Sequence, residues 1–297
     1  MISRSAENPE DRRRFLQSAG VMGLGVVGAS MLPSLEGTAL AATGGPSDAA
    51  ILNFALNLEY LEGEFYSYAV HGHGLADKLT HGKGTRGGVT GGKQVKFGSK
   101  RIGHIAAEIA RDELHHVEFL RTALGSAAVS RPAIDIRNSF NAAAHAAGLA
   151  KQGQFFDVYE NEDTFLLGAF IFEDVGVTAY KGAAPLIHNK TYLGAAAGIL
   201  AVEAYHAATI RTTLLNKGLA KDANAISNAR DSLDGKKDDD QHIWEAGKAN
   251  IVPTDHNGLV YGRTPGAVLN IAYLNPKKTG KGGFFPAGVN GSIHESS

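Results

Sequence analysis

The stretch "RDELHHVEFL", residues 111–120, sets Asp112, Glu113, His115, His116 and Glu118 among Leu114, Val117, Phe119 and Leu120 in an otherwise helical run. A helix turns about 100° per residue, so the side each residue takes can be worked out. With Ile109 at the origin, Ile102 and Leu120 fall at about +20° and Ile105 at about −40°. Glu113 lies at about +40° and His116 at about −20°, inside that apolar stripe. His115 falls at about −120° and Glu118 at about 180°, off it, with Asp112 on the margin at about −60°. A carboxylate and an imidazole are therefore expected in the core, and something must compensate them there.

Working outward, four long segments have helical period: about 48–70, 99–124, 159–181 and 190–217. Ser47 or Asp48 can cap the first, Gly182 and Pro185 stop the third, and Gly218 stops the fourth. A shorter helix is expected near 138–150. In the fourth segment Glu203 and His206 share a face with Ala196, Ile199, Ile210 and Leu214. In the third, Glu173 shares one with Leu166, Ala169, Phe170, Val177 and Tyr180, while Asp174, about 100° away, is expected to be solvated. In the first, Glu59 sits with Leu52, Ala55, Leu56 and Tyr66. Glu62 is only about 60° from Glu59, so either can point inward.

With 15 Glu and 12 His in 297 residues, chance gives roughly 0.6 Glu-x-x-His matches, against the two found, so placement rather than count carries the argument. Glu59–Tyr66 and Glu173–Tyr180 repeat a seven-residue spacing. The chain therefore reads as a duplicated pair of helices, one with Glu and Tyr, one with Glu-x-x-His. Four long helices with a middle crossover make an all-α four-helix bundle. Four inward carboxylates are costly to bury, and the inward faces offer no Lys or Arg at that level. Two divalent ions would neutralise them and accept the imidazoles. One Glu from each of two helices plus Glu-x-x-His from the other two is the ligand set of di-iron and di-manganese bundles. Oxygen and imidazole donors favour two Fe or two Mn ions. With no cysteine in the chain, thiolate zinc sites, disulfides and cysteine nucleophiles are excluded. A net charge of −1 gives no general basic field for nucleic acid or an anionic membrane.

Four stretches, "LNLEYLEGEFY" (56–66), "ARDELHHVEFL" (110–120), "FEDVGVTAYKGAAP" (172–185) and "ILAVEAYHAATIR" (199–211), resemble the bacterial ferritin-like domain family that includes plant desiccation-related proteins. "GRTPGAVLNIAY" (262–273) and "GGFFPAGVNG" (282–291) resemble its tail, so the likeness covers most of 48–293. It implies a ferritin-like bundle over 48–220 with metal ligands Glu59, Glu113, His116, Glu173, Glu203 and His206. Glu113 and Glu203 would bridge the ions, and Glu59 and Glu173 would be terminal. Tyr66, Tyr180 and Glu62 are candidates for supporting the ligands. Residues 221–297 read as an irregular C-terminal extension with one short helix, capped by Thr264 and begun by Pro265.

The first 41 residues read as an export signal. Arg12, Arg13 and Arg14 precede a short glycine-rich apolar run and the small-residue site Ala39-Leu40-Ala41. Paired arginines before Phe15-Leu16 look like a twin-arginine leader, with Asp11 and Gln17 departing from that pattern. Export to the periplasm or cell exterior, with no membrane span after processing, is the expectation. "GGVTGGKQ" (87–94) lacks the Ser/Thr and preceding strand of a phosphate loop. His71, His73 and His81 read as loop histidines, and "KKDDD" (236–240) as a solvated turn.

The expected function is redox chemistry on ferrous iron, O2 or H2O2 in stress defence, as a ferroxidase or a catalase/peroxidase. The alternatives are a stress or desiccation protein whose metals are structural, or iron storage in a homo-oligomer.

Overall fold

The computed structural model describes residues 45–235, 237 and 239–297. The leader expected over 1–41 lies outside the described residues. The body that follows begins at Pro46. Its helices are α1 (Asp48–His71), α2 (Lys100–Leu124), α3 (Asn138–Ala146), α4 (Glu162–Ala183), α5 (Lys190–Asn216), α6 (Ala220–Asp234) and α7 (Pro265–Ala272). The fold is the expected ferritin-like four-helix bundle, built from α1, α2, α4 and α5. α1 packs chiefly on α2 and α4 chiefly on α5, matching the duplicated pair read from the sequence.

Local chemistry explains the helix ends. Ser47, Ser99, Asn161, Asn189 and Thr264 each accept hydrogen bonds from the first turn of the helix they precede, satisfying donors that have no partner within it. Asp48, the other candidate cap of α1, instead accepts from the backbone N–H groups of His188 and Asn189, both at 2.8 Å, and ties the start of α5 to α1. Gly182 does not end α4. The helix runs one residue past it, and Pro185 lies in the single 3-10 turn that follows. Gly182 is needed for a close approach, since a Cβ there would fall 1.8 Å from the carbonyl oxygen of Arg263.

The glycine-rich stretch after α1 is strapped down. Its Val89–Thr90 strand, β1, pairs in parallel with β2 (Ile134–Asp135). The Tyr60 hydroxyl donates to the Leu79 and Val129 carbonyls, at 3.0 and 3.1 Å. Arg131 pairs with the buried Glu64, which also accepts from the Leu75 N–H at 3.1 Å. His71, His73 and His81 are exposed, and none belongs to a cluster of three or more metal-ligating side chains among the described residues.

Beyond residue 220 the chain holds more order than expected. α6 is a second helix there, burying Ala223, Ile226, Ser227 and Arg230 at helical spacing. One of those inward positions is an arginine and one a serine, so the stretch has no visible apolar stripe. Arg230 bonds Asp174 at 2.9 Å and Asp240 at 2.8 Å, and Arg211 bonds Asp174 at 2.6 Å. Arg263 pairs with both Asp234 and Asp240. Asp174, expected to be solvated, is buried in this network, and so is Asp240 of the supposed solvated turn. The angular estimate placed Asp174 correctly relative to Glu173. It failed because the extension covers the side that a bare bundle would leave wet.

The last residues also enter the core. Phe284 packs on Phe140 and Phe172, with ring centroids 4.9 and 5.0 Å away. Asn290 exchanges hydrogen bonds with Asn57 of α1, donating from its N–H at 3.0 Å and accepting at its carbonyl at 2.8 Å.

Candidate metal centre

The structure brings Glu59, Glu113, His116, Glu173, Glu203 and His206 to one place in the bundle. All six are buried, Glu59, Glu113 and Glu203 completely. Their ligating atoms form two groups, Glu59, Glu113, His116 and Glu203 in one and Glu113, Glu173 and His206 in the other. Within each group the atoms lie within 4.8 Å of one another. Glu113 belongs to both, the position a bridging carboxylate takes. Glu203 belongs only to the group that contains His116, so of the two residues expected to bridge, the geometry shares only Glu113 between the groups.

His116 Nδ1 lies 3.2 Å from Glu59, 3.3 Å from Glu113 and 3.7 Å from Glu203. His206 Nδ1 lies 3.2 Å from Glu113 and 3.3 Å from Glu173. The two histidines thus mirror each other, as the repeated Glu-x-x-His pattern requires. His115 stays half-buried outside the cluster.

Two tyrosines hold the outer carboxylates crosswise. Tyr66 on α1 donates to Glu173 Oε1 on α4, and Tyr180 on α4 donates to Glu59 Oε1 on α1. One oxygen of each glutamate is thereby fixed, and the other is left for the centre. Burial and the adjacent carboxylates push both phenols well above their ordinary range, so they remain donors. The equal Glu–Tyr spacing was visible in the sequence, but its meaning was not, because each tyrosine serves the glutamate of the other helix.

Asp112 is a contributor that the angular reading left on the margin. Its Oδ2 lies 3.3 Å from His206 Nε2 and so holds the ring from behind, with Nδ1 turned to the cluster. A carboxylate behind a ligating histidine fixes its tautomer and orientation. A useful signal was available: Asp112 directly precedes the inward Glu113, one step along the helix toward the facing α5.

Glu62 is buried as well as Glu59, which resolves the ambiguity in α1: both turn inward, and Glu59 is the one in the ligand groups. Burial and the neighbouring carboxylates and imidazoles set the charge balance. Desolvation pushes Glu59 up to about 7 against the pull of His116, and it raises Glu62, Glu173 and Glu203 as well. Glu113 bears the same desolvation, but the two histidines outweigh it and hold this carboxyl low. Desolvation would lower His116, but Glu59 and Glu113 win and push it up to about 12; His206 is raised in the same way by Glu173, Asp112 and Glu113.

These imidazolium protons do not satisfy the site. Glu113 Oε1, Glu173 Oε2, both oxygens of Glu203 and His206 Nδ1 are buried without a hydrogen-bond partner, although His206 Nδ1 is close to two carboxylates. The contacts are near but not aimed at one another. Orphaned buried polar atoms are costly, and all five belong to residues of the two ligand groups. The donor set of carboxylates and imidazoles with orphaned atoms fits bound metal.

Gly176 makes room for this arrangement. A Cβ there would fall 2.2 Å from Glu203 Oε2. Because Glu203 is fully buried, it can yield only by leaving the cluster. Gly176→Ala is expected to lower metal content while leaving the fold intact, since alanine gains up to about 1 kcal/mol in a helix interior. Elemental analysis alongside thermal unfolding checks it; full metal occupancy in the variant would contradict the assignment of Glu203.

A buried cluster of carboxylates and histidines inside a four-helix bundle defines a ferritin-like protein, and comparison with known sequences agrees. The ferritin-like domain family matches residues 47–216, and the chain belongs to it. It is 30% identical over 264 residues to the desiccation-related protein PCC13-62 of Craterostigma plantagineum, covering 82% of this chain and 83% of that one. It is 27% identical over 269 residues to the ferritin-like catalase Nec2 of Nesocodon mauritianus, covering 83% and 85%. No solved structure matches the chain significantly.

Proposed function

We propose that this chain is an exported ferritin-like protein that holds two iron or manganese ions through Glu59, Glu113, His116, Glu173, Glu203 and His206, and that it performs redox chemistry on O2 or hydrogen peroxide. The observation carrying this reading is the set of orphaned buried oxygens in two ligand groups that share Glu113. The likeness to a protein named a catalase supports the choice of peroxide as a substrate. Bound there, a pair of redox-active ions supplies electron exchange with a small oxidant. The chain's own residues do the rest. Tyr66 and Tyr180 fix the outer carboxylates, Asp112 sets the His206 ring, and the bundle keeps bulk water out.

The paired arginines and the Ala39-Leu40-Ala41 site support export to the periplasm or cell exterior. Size analysis of the secreted chain tests this: loss of about 41 residues is expected with the leader intact, and none after Arg12→Lys and Arg13→Lys together.

Stopped-flow mixing of iron- or manganese-loaded protein with O2 and with peroxide tests the chemistry. Metal oxidation or peroxide loss is expected. A loaded protein inert to both, but losing much stability on chelation, would overturn the redox reading in favour of a structural centre. Light scattering showing a closed shell of many subunits would favour iron storage.

Metal loading should also release protons. Ligating imidazoles must be neutral, and the carboxylates hold a proton on His116, raised to about 12, and on His206. Near pH 7, loading is therefore expected to expel at least two protons per chain, more where the raised carboxyls of Glu59 and Glu203 also give theirs up, and apparent affinity should rise with pH. The sign follows directly: protons compete for the same nitrogens, so lowering pH weakens binding. Calorimetric titration in buffers of different ionisation enthalpy measures the number released.

A further inference from the structure

A second feature lies against the centre, a cavity of about 30 Å3 between α1, α4 and α7. Leu61 and Glu62 of α1, Phe172 and Gly176 of α4, and Ile271 and Ala272 of α7 are among its walls. Phe284 adds a wall from the tail, where its ring packs 5.0 Å from that of Phe172. Its walls are buried apart from the half-buried Leu58, and the space is a narrow recess beside the centre. Glu62 is the only acidic or basic side chain in the lining, and the Tyr180 hydroxyl at its edge is already committed to Glu59.

Glu62 and Gly176 join this cavity to the metal cluster. The point where a Cβ of Gly176 would lie is 2.2 Å from Glu203 Oε2 and 3.5 Å from Glu62 Oε1. The helix pair is duplicated, yet its two halves differ here. Glu62 stands three residues after Glu59, whereas the corresponding residue three after Glu173 is Gly176. One half contributes a carboxylate at the cavity floor, and the other contributes the space beside it.

We propose that this cavity is the substrate pocket of the centre, taking one neutral molecule of the size of O2 or hydrogen peroxide, and that the C-terminal extension sets its size limit. The inference rests on the redox reading above. A recess of this volume has room for a molecule of water or O2 size and not for a branched organic substrate. Its apolar walls favour a neutral guest, since a charged one would lose its hydration without compensation. The family match ends at residue 216, so α7 and Phe284 lie outside the matched domain. The extension thus supplies a wall that the four helices leave open. Glu62 positions the guest at the end nearest Glu203.

Xenon, an apolar probe of such cavities, tests the pocket without reference to turnover. Crystals of the full chain under xenon pressure are expected to show an atom between Leu61 and Ile271, lost in Ala272→Leu. That variant should keep its metal content yet react with O2 or peroxide about tenfold more slowly. Ile271→Ala opens the same wall without crowding it. It should retain xenon and raise the rate with tert-butyl hydroperoxide relative to hydrogen peroxide by about tenfold. A wild-type cavity that takes no xenon overturns the proposal, as does an Ala272→Leu protein that excludes xenon but reacts at the wild-type rate. Unchanged discrimination against the bulky peroxide in Ile271→Ala overturns the role of the extension. Loaded wild type that seats xenon but is inert to both oxidants overturns the redox reading instead.

Discussion

Glu113→Ala should reduce metal content from about two ions per chain to one or none, the largest loss expected from any single ligand. Glu113 is the one residue in both ligand groups, and both histidines lie within 3.3 Å of it. It is also the carboxylate held below its ordinary range against full desolvation, hence the anion both imidazoles compete for. Removing it takes one donor from each group at once. Glu203→Ala, whose ligating atom belongs to one group only, should weaken the His116 side first. His115→Ala should leave metal content unchanged, because that ring lies outside the cluster. Elemental analysis of the three variants after identical loading settles the order. Equal losses in Glu113→Ala and His115→Ala would remove the basis for the metal centre as drawn.

Asp174→Ala should destabilise the protein by about 3–5 kcal/mol, the cost of breaking a buried ion pair from one side. The loss leaves the Arg211 and Arg230 guanidiniums facing a site with no anion between them. Both lie within 3 Å of Asp174 Oδ2, and the three residues are buried. Arg230 keeps Asp240, and Arg211 keeps the carbonyls of Gln241, His242 and Asn250, so the fold should survive at lower temperature. At about 2–4 °C per kcal/mol for a domain of this size, the unfolding midpoint should fall by roughly 6–20 °C. Replacing the acid together with Arg211 by apolar residues of similar volume should cost less than the single change, because no uncompensated charge remains. A single variant as stable as wild type would show that the extension is held by its apolar contacts alone.

The parts legible in advance were those governed by one helix at a time. The inward side of Glu113, His116, Glu173, Glu203 and His206 followed from a 100° step and a few apolar neighbours, and the helix starts after Ser47 and Thr264 followed from capping chemistry. Asp174 and Asp240 were misjudged for a different reason. Their burial depends on α6 and the tail, which are recruited by arginines rather than by an apolar stripe. A pattern search tuned to hydrophobic period reads Arg230 as a surface residue.

The sequence by itself determined the four-helix bundle, its duplicated halves and most of the carboxylates and imidazoles that meet inside it, because helical periodicity ties spacing directly to facing. Only the tertiary structure decided that Glu113 is shared between the two groups, that each tyrosine serves the opposite glutamate, and that the extension walls a cavity beside the centre. The crossed tyrosine bonds alone join residues 107 and 121 positions apart. Their geometry comes from how whole helices pack, which no local spacing records.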